Sequence, residues 1–327
     1  MKPRADTALI LGVSGQDGAY VAEVLIKRGL KVHGTSRDKE ISSFANLRTL
    51  GIYDRVTLHS AVVSDFRSVL EVLKAVQPQY IFNLAAQSSV GLSFEQPVET
   101  IDSIMHGTIN VMEAMRFLDL EARFYNACSS ECFGNTSPDA PAKEDTPFRP
   151  RSPYAVGKAA SFWAVANYRE AYGLFACSGL LFNHESPLRP TRYVTQKIVR
   201  GATDIATGRA RTLELGSLSL ARDWGWAPEF ADAMVRVLDF AAPEDFVVAT
   251  GETNSLEDFV AATFACFKLD WREHVVRNDA FLRPTDIAHS SGDPAKVERL
   301  LGWKASKKMR DVIHLLVEAE QSRRRHA

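Results

Sequence analysis

An α/β fold, a doubly wound parallel sheet with a smaller C-terminal lobe, is predicted by three features of this 327-residue sequence. Short apolar runs alternate with amphipathic helical stretches over the first half of the chain. A glycine-rich turn follows the first of those runs. From about residue 182 the alternation breaks up, which sets a second unit apart. The expected division is 1–181 plus about 226–266 for the first lobe, and about 182–225 plus 267–322 for the second.

The first stretch, "TALILGVSGQDGAYVAEVLIKRG", reads as a buried strand from Ala8 to Gly12. A turn with Gly12, Gly15 and Gly18 follows, then a helix carrying Ala19, Val21, Ala22, Val24, Leu25 and Ile26. A strand, a glycine turn and a helix present backbone N–H groups and a positive helix end to a pyrophosphate, the arrangement of a Rossmann-like dinucleotide site. A second strand, "KVHGTS", follows on schedule. At its end an NAD site usually places a carboxylate for the ribose diol, whereas a 2′-phosphate asks for a small residue and a cation. Ser36 and Arg37 stand there, which favours NADP; Asp38 beside them offsets part of that cation, so NAD stays possible.

"VTLHSAVV" and "YIFNLAAQSS" read as further strands, with helices around 66–76 and 104–118, and "ARFYNACSS" as the next strand. Alternation of this kind implies parallel strands with helices on both faces, and ligands collect at the carboxyl ends of such strands. "NLAAQS" and "SSE" are therefore expected to face the cleft. In "RSPYAVGKAASFWAVANYREAYG", Tyr154 and Lys158 lie four apart on one face of a helix. An ammonium beside a phenol stabilises the phenolate, which predicts a lowered pKa and a general base for a substrate hydroxyl during hydride transfer.

In the second unit, "TRYVTQKIVRGATDIATG" suits a helix and "TLELGSLSLARDWG" hairpin-like strands. "GWAPEFADAMVRVLDFA" returns to the main sheet, and "LRPTDIAHSSGDPAKVERLLGWK" is expected to close over the nucleotide. The helix after Tyr154 is apolar on more than one face (Phe162, Trp163, Val165, Ala166, Tyr168), which predicts a homodimer built on a helix bundle, or a homotetramer of such pairs. The end "QSRRRHA" reads as a solvated tail.

Composition removes whole classes of function. Thirty-nine Lys and Arg against 40 Asp and Glu leave a net charge of -1, with no electrostatic footprint for nucleic acid or an anionic membrane. No apolar run approaches a membrane span, and "MKPRADTALILGV" lacks a signal-peptide pattern, so a cytoplasmic protein is expected. Cys128, Cys132, Cys177 and Cys266 are too few for a disulfide framework and lack the spacing and nearby His of a zinc site; no metal is expected.

The glycine turn, the hydroxyl at a strand end and Tyr154-x-x-x-Lys158 resemble an extended short-chain dehydrogenase/reductase. More narrowly, "GVSGQDGAY", "NLAAQSSVGLSFEQPV", "RSPYAVGK", "LLFNHESPLR", "LARDWG" and "LGWK" resemble the GDP-mannose 4,6-dehydratase family over nearly the whole chain. That resemblance implies oxidation of the hexose at C4 by NADP⁺, elimination of water across C5 and C6, and return of the hydride to C6. It gives Tyr154 the C4 hydroxyl proton, Lys158 the nicotinamide ribose, Ser129 the C4 oxygen, and Glu131 the C5 proton and the departing C6 hydroxyl. Gly12, Gly15, Gln16, Asp17, Gly18, Arg37, Leu84, Ala85, Ala86, Gln87, Lys158, His184 and Arg189 match cofactor-contacting positions. Ser88 falls near the sugar, and Asn183, Lys197, Arg222 and Arg283 match positions that hold the GDP moiety. The two lobes are then an NADP-binding and a GDP-sugar-binding domain.

Four positions depart from the family pattern. Ser129 replaces threonine, Val62 an adenine-contacting aspartate, Arg37-Asp38 an Arg-Arg pair, and Asp286 a glutamate. "SSE" and "GTSR" also resemble the GDP-4-keto-6-deoxymannose reductases, which consume NADPH; "GQDG" and "NHESPLR" favour the dehydratase. The methyl missing at Ser129 leaves room for a larger GDP-manno-heptose. A non-catalytic NADP sensor would be expected to have lost the Tyr154–Lys158 pair, which is present.

Overall fold

The computed structural model describes residues 6–325. The chain alternates from its start: β1 (Thr7–Leu11), α1 (Gln16–Lys27), β2 (Lys31–Ser36), α2 (Ala45–Thr49), β3 (Val56–Ser60), α3 (Phe66–Val76) and β4 (Tyr80–Asn83). After β4 come short helices α4 (Val90–Glu95) and α5 (Pro97–Ile101). A π-helical turn at Asp102–His106 leads into α6 (Gly107–Phe117), and β5 (Arg123–Ser129), α7 (Pro153–Tyr172) and β6 (Ala176–Leu181) follow. The rest comprises β7 (Asn183–Glu185), α8 (Val194–Ala206), β8 (Leu213–Leu215), β9 (Ala221–Trp226), α9 (Ala227–Asp239) and β10 (Phe246–Val248). It ends with β11 (Thr253–Ser255), α10 (Leu256–Ala265), β12 (Val275–Arg277), α11 (Ala295–Leu301) and α12 (Met309–Arg325).

Seven strands form one sheet in the order β10-β6-β5-β4-β1-β2-β3, and every neighbouring pair is parallel. Strands covered on both faces need apolar residues at every position. Ala8, Leu9, Ile10 and Leu11 of β1 are accordingly 0% exposed, and each large side chain so buried contributes about 1.5–3 kcal/mol. On one face α1 and α9 cover the sheet, with Val21, Leu25, Phe230 and Met234 against Ile10 and Phe82. On the other, Val69 and Leu73 of α3 and Val111 and Met115 of α6 meet Leu9, Leu11 and Ile81. The strand order reverses between β1 and β4, and the crevice opens at their carboxyl ends.

The second unit has a core of its own. Ile198 and Val199 of α8, Leu256, Phe259 and Phe264 of α10, and Val312, Ile313 and Leu316 of α12 pack together with Trp224. Helix α10, placed with the first lobe by the sequence, thus buries its apolar face in the core of the second. The hairpin expected around "TLELGSLSLARDWG" is not formed. Strand β8 pairs in parallel with β12, and β9 lies between β7 and β11. Such distant partners leave no mark on local sequence.

The tail is a second correction. Gln321–Arg325 continue α12, and Arg324 bonds Glu320 at 2.6 Å and Asp204 of α8 at 2.7 Å. Of the arginines read as solvated charge, Arg324 docks the last helix, while Arg323 and Arg325 stay exposed as expected; His326 and Ala327 lie outside the described residues.

Candidate active site

The first glycines behave as the turn demands. Gly12 has φ +85°, and a Cβ there would sit 2.8 Å from the backbone of Ala85. A Cβ on Gly18 would come within 2.4 Å of the Gly12 carbonyl oxygen. The turn and the loop after β4 are therefore in contact, and side chains are excluded between them. Gly15 caps α1 without any side-chain bond to its first turn. That leaves free N–H groups at a positive helix end, which suits a pyrophosphate.

Asp17 stands in that first turn, where a free carboxylate would repel a phosphate. It is not free: His184 Nε2 lies 3.1 Å from its Oδ1, and Gln16 Nε2 donates to the same oxygen at 2.9 Å. The other ring nitrogen, Nδ1, is 2.7 Å from the Phe182 carbonyl oxygen. Both neighbours of the ring are acceptors, so both nitrogens carry hydrogen and His184 is an imidazolium. Burial by itself would lower its pKa, but the carboxylate overcomes this and raises it. Asp17 is held well below the usual carboxylate range: burial pushes it up, and the charge and hydrogen bond of His184 more than reverse that.

Further bonds tie the two loops. Ser186 Oγ donates to Gln16 Oε1 at 2.8 Å, and Arg189 donates to the His184 carbonyl at 2.9 Å. Arg189 Nε lies 3.2 Å from Glu185, which is 2% exposed on its side chain. "GQDG" and "NHESPLR", 168 residues apart across the Gln16–His184 bond, form one polar knot beside the glycine turn. Glu185 and Ser186 were not singled out from the sequence, although both sit inside the quoted motif.

The opposite wall is built by β5 and α7. Strand β5 ends at Ser129, whose Oγ accepts from the Glu131 N–H at 3.2 Å and so starts the one-turn helix Ser130–Phe133. Helix α7 begins with Ser152, whose Oγ accepts from Ala155 N at 3.1 Å, and with Pro153 at the first helical position. This cap fixes Tyr154 at the mouth of the cleft, with its phenol within interaction range of Ser129. Lys158, one turn on, donates from Nζ to the Ala127 carbonyl at 2.6 Å and lies 5.8 Å from the Tyr154 ring centre. Ser129, Glu131, Tyr154 and Lys158 thus gather at one strand end.

The expected lowering of the phenol pKa is not seen. Burial pushes Tyr154 up, and Ser129 only partly opposes it. Lys158 spends its ammonium on the Ala127 carbonyl rather than on the phenol, and burial lowers its own pKa. That acceptor belongs to the backbone of a neighbouring strand and is invisible in a Tyr-x-x-x-Lys pattern.

Glu131 is also pushed up, chiefly by burial, while Arg222 and Arg283 pull the other way. Both arginines converge on Asp286, Arg222 at 3.1 Å and Arg283 at 3.4 Å. A carboxylate and two guanidiniums therefore stand together, with Asp286 as the strut that holds the cations. Asn183 opens β7, beside Trp224 of β9. Lys197 of α8 lies farther out, its Nζ 3.4 Å from the centre of the Phe281 ring. Leu84, Ala85, Ala86 and Gln87 form the loop after β4; Gln87 Nε2 anchors it by donating to the Ser89 carbonyl at 2.8 Å and to Thr100 at 3.0 Å. Ser88 Oγ lies 2.8 Å from the Tyr193 hydroxyl. Arg37 is 85% exposed on its side chain, with Glu99 3.8 Å away, and Asp38 Oδ1 accepts from Glu40 N at 2.8 Å.

A parallel sheet in this order, a glycine turn at its switch point, and a serine, tyrosine and lysine converging across the cleft define an extended short-chain dehydrogenase/reductase. Known proteins narrow this further. A family model described as GDP-mannose 4,6 dehydratase matches residues 9–316. GDP-mannose 4,6 dehydratase 1 of Arabidopsis thaliana is 40% identical over 98% of this chain and 91% of its own length. The GDP-mannose 4,6-dehydratase of Sinorhizobium fredii (strain HH103) is 40% identical over 96% of each chain. The protein belongs to the GDP-mannose 4,6-dehydratase family.

Solved structures agree on the fold. The dTDP-glucose 4,6-dehydratase of Bacillus anthracis str. Ames, in complex with NAD, superposes with a TM-score of 0.84 at 16% identity over 98% of each chain. RMD from Pseudomonas aeruginosa, complexed with NADPH, does so at 0.79 with 19% identity, again over 98% of each.

Proposed function

We propose that the protein converts GDP-mannose to GDP-4-keto-6-deoxymannose, with NADP as a recycled cofactor. The observation that carries this reading is the half-buried carboxylate of Glu131, within electrostatic reach of Tyr154 on one side and of the guanidiniums of Arg222 and Arg283 on the other. A reductase needs only the hydroxyls and the lysine. An elimination also needs a base, and Glu131 stands two residues beyond Ser129, the serine that faces C4.

A bound nicotinamide would supply the hydride chemistry, as acceptor from C4 and donor to C6. The bare N-terminal turn of α1 and the side-chain-free contact of Gly12 with Ala85 suit its pyrophosphate, and the Asp17–His184 pair removes the charge that would oppose it. Ser36 and the outward Arg37 suit a 2′-phosphate, and Asp38 is engaged in its own turn. Titration with NADP⁺ and NAD⁺ decides that preference.

Tyr154 takes the C4 hydroxyl proton while Ser129 holds the C4 oxygen. Lys158 and Arg189 are the cations near enough to favour the ionised phenol, and Lys158 binds the nicotinamide ribose. A ketone at C4 acidifies the adjacent C5–H, so a positioned carboxylate suffices as base. Glu131 removes that proton and delivers it to the C6 hydroxyl, which leaves as water. Return of the hydride to C6 then leaves an enolate that takes a proton at C5, which balances the one Tyr154 took from the C4 hydroxyl. Arg222, Arg283, Lys197 and Asn183 bind the GDP moiety. Residues 1–181 plus about 226–266 serve as the cofactor domain, with about 182–225 plus 267–322 as the sugar-nucleotide domain and α10 lending its face to the latter's core. The working unit is a homodimer, which covers the 61% exposed Trp163 and 46% exposed Val156 of α7.

The test is incubation with GDP-mannose and only catalytic NADP⁺, read by product mass. Loss of one water with no net NADPH is expected, and Glu131→Gln abolishes it with the fold intact. An unchanged mass overturns the reading; reduction of GDP-4-keto-6-deoxymannose at the expense of NADPH would replace it with the reductase.

A further inference from the structure

A second pair of hydroxyls lies across the cleft. Tyr193, the N-cap residue of α8, comes from the second unit, and Ser88 from the loop after β4 in the first. Their oxygens are 2.8 Å apart although the residues are separated by 105 positions. Ser88 is exposed and Tyr193 half-buried. The Tyr193 ring is held from one side by the Arg189 guanidinium, 3.9 Å from its centre, and Arg189 is in turn fixed on buried Glu185. The Ser88 loop is fixed next door by the Gln87 amide. Tyr193 also stands within electrostatic reach of Tyr154. No sequence pattern pointed to it.

Resting on the dehydratase reading above, we propose that Tyr193, paired with Ser88, recognises the ring hydroxyls of the hexose and is a specificity-determining residue of this site. Each hydroxyl carries one O–H and two lone pairs, and their mutual bond uses one O–H and leaves the other partner's proton free. A sugar diol brought between them replaces that bond with bonds from both, so nothing is left unpaired. A nucleotide without a sugar gains nothing there. A hexose lacking the matching hydroxyl strands a desolvated O–H, the arrangement from which polar pockets draw their discrimination.

Calorimetric titration of the full-length protein with GDP-mannose and with GDP, for wild type and Tyr193→Phe, separates the possibilities. The phenylalanine keeps the ring under Arg189 and removes only the hydroxyl. GDP-mannose should bind about five- to tenfold more weakly, the loss expected of one neutral hydrogen bond, while GDP binds as before. Ser88→Ala should repeat the pattern, and in turnover KM should rise more than kcat falls. Equal affinity of wild type and Tyr193→Phe for GDP-mannose overturns the proposal. So does a parallel loss for GDP-mannose and GDP with a lowered Tm, which would make the pair a staple between lobes. Binding is read without turnover, so a wild type that binds GDP-mannose but releases no water counts against the dehydratase reading and leaves the Tyr193 comparison standing.

Discussion

Replacing Asp17 by asparagine removes one charge from the knot that joins the glycine turn to the "NHESPLR" loop. Breaking a fully buried ion pair by deleting one partner costs about 3–5 kcal/mol. The Asp17 side chain keeps 27% exposure against 9% for His184, so solvent relieves part of that, and about 2 kcal/mol is the expected loss where His184 is charged. The pH dependence follows from the two shifts. Asp17 is depressed, so its contribution is present above the ordinary carboxylate pKa and disappears as pH falls through its low folded value. His184 is raised, so its contribution is complete below the ordinary pKa of about 6.5 and disappears as pH rises through the folded value. The pair therefore stabilises most in the acid-to-neutral window. In Asp17→Asn the imidazole keeps burial and the Arg189 charge, which favour its neutral form and outweigh the Phe182 hydrogen bond, so protonation then opposes folding. Thermal unfolding should show Tm lowered by about 4 °C at about pH 5.5, and by about half that at about pH 8.5, where chiefly hydrogen bonding is lost. An equal loss at both pH values would refute the assignment of His184 as an imidazolium.

Arg222→Met should lower kcat/KM by about tenfold or more, through loss of a charge-assisted contact. The acid limb of its pH profile should move upward, because Arg222 has the larger influence of the two guanidiniums holding Glu131 down; an unmoved limb would separate Glu131 from the base step. Gly12→Ala meets both a positive φ and a 2.8 Å clash with the backbone of Ala85. It should cost about 2–4 kcal/mol in denaturant unfolding and abolish dinucleotide binding. Trp163→Glu should shift a light-scattering mass from dimer to monomer, and a wild type already monomeric at micromolar concentration would remove the dimer.

What could be read from the sequence was local. Gly12, Gly15 and Gly18 announce a turn in which no side chain survives the contacts at Gly12 and Gly18, and Tyr154 and Lys158 share a face because a helix repeats near four. Ser129 and Glu131 were legible as the end of an apolar run that had to stop at the crevice. Partners supplied by distant backbone were not. The Ala127 carbonyl takes the Lys158 ammonium, Val275 of β12 rather than a neighbouring strand pairs with Leu213, and Asp204 turns Arg324 from tail into dock. Tyr193 escaped for the same reason. An aromatic beside Arg192 in "TRYVTQK" has no periodicity to betray it, and its value comes from a serine on the other lobe.

The docking of α12 has a consequence for the order in which the molecule becomes whole. The seven-stranded sheet needs nothing after Val248 to complete its strands. The core around α8 and α10 waits for Val312, Ile313 and Leu316, close to the end of the chain. On a ribosome, the sheet can close while the second core still exposes Phe259 and Phe264. The second core is thus completed after the sheet, and Arg324, by clasping Asp204, helps to secure it.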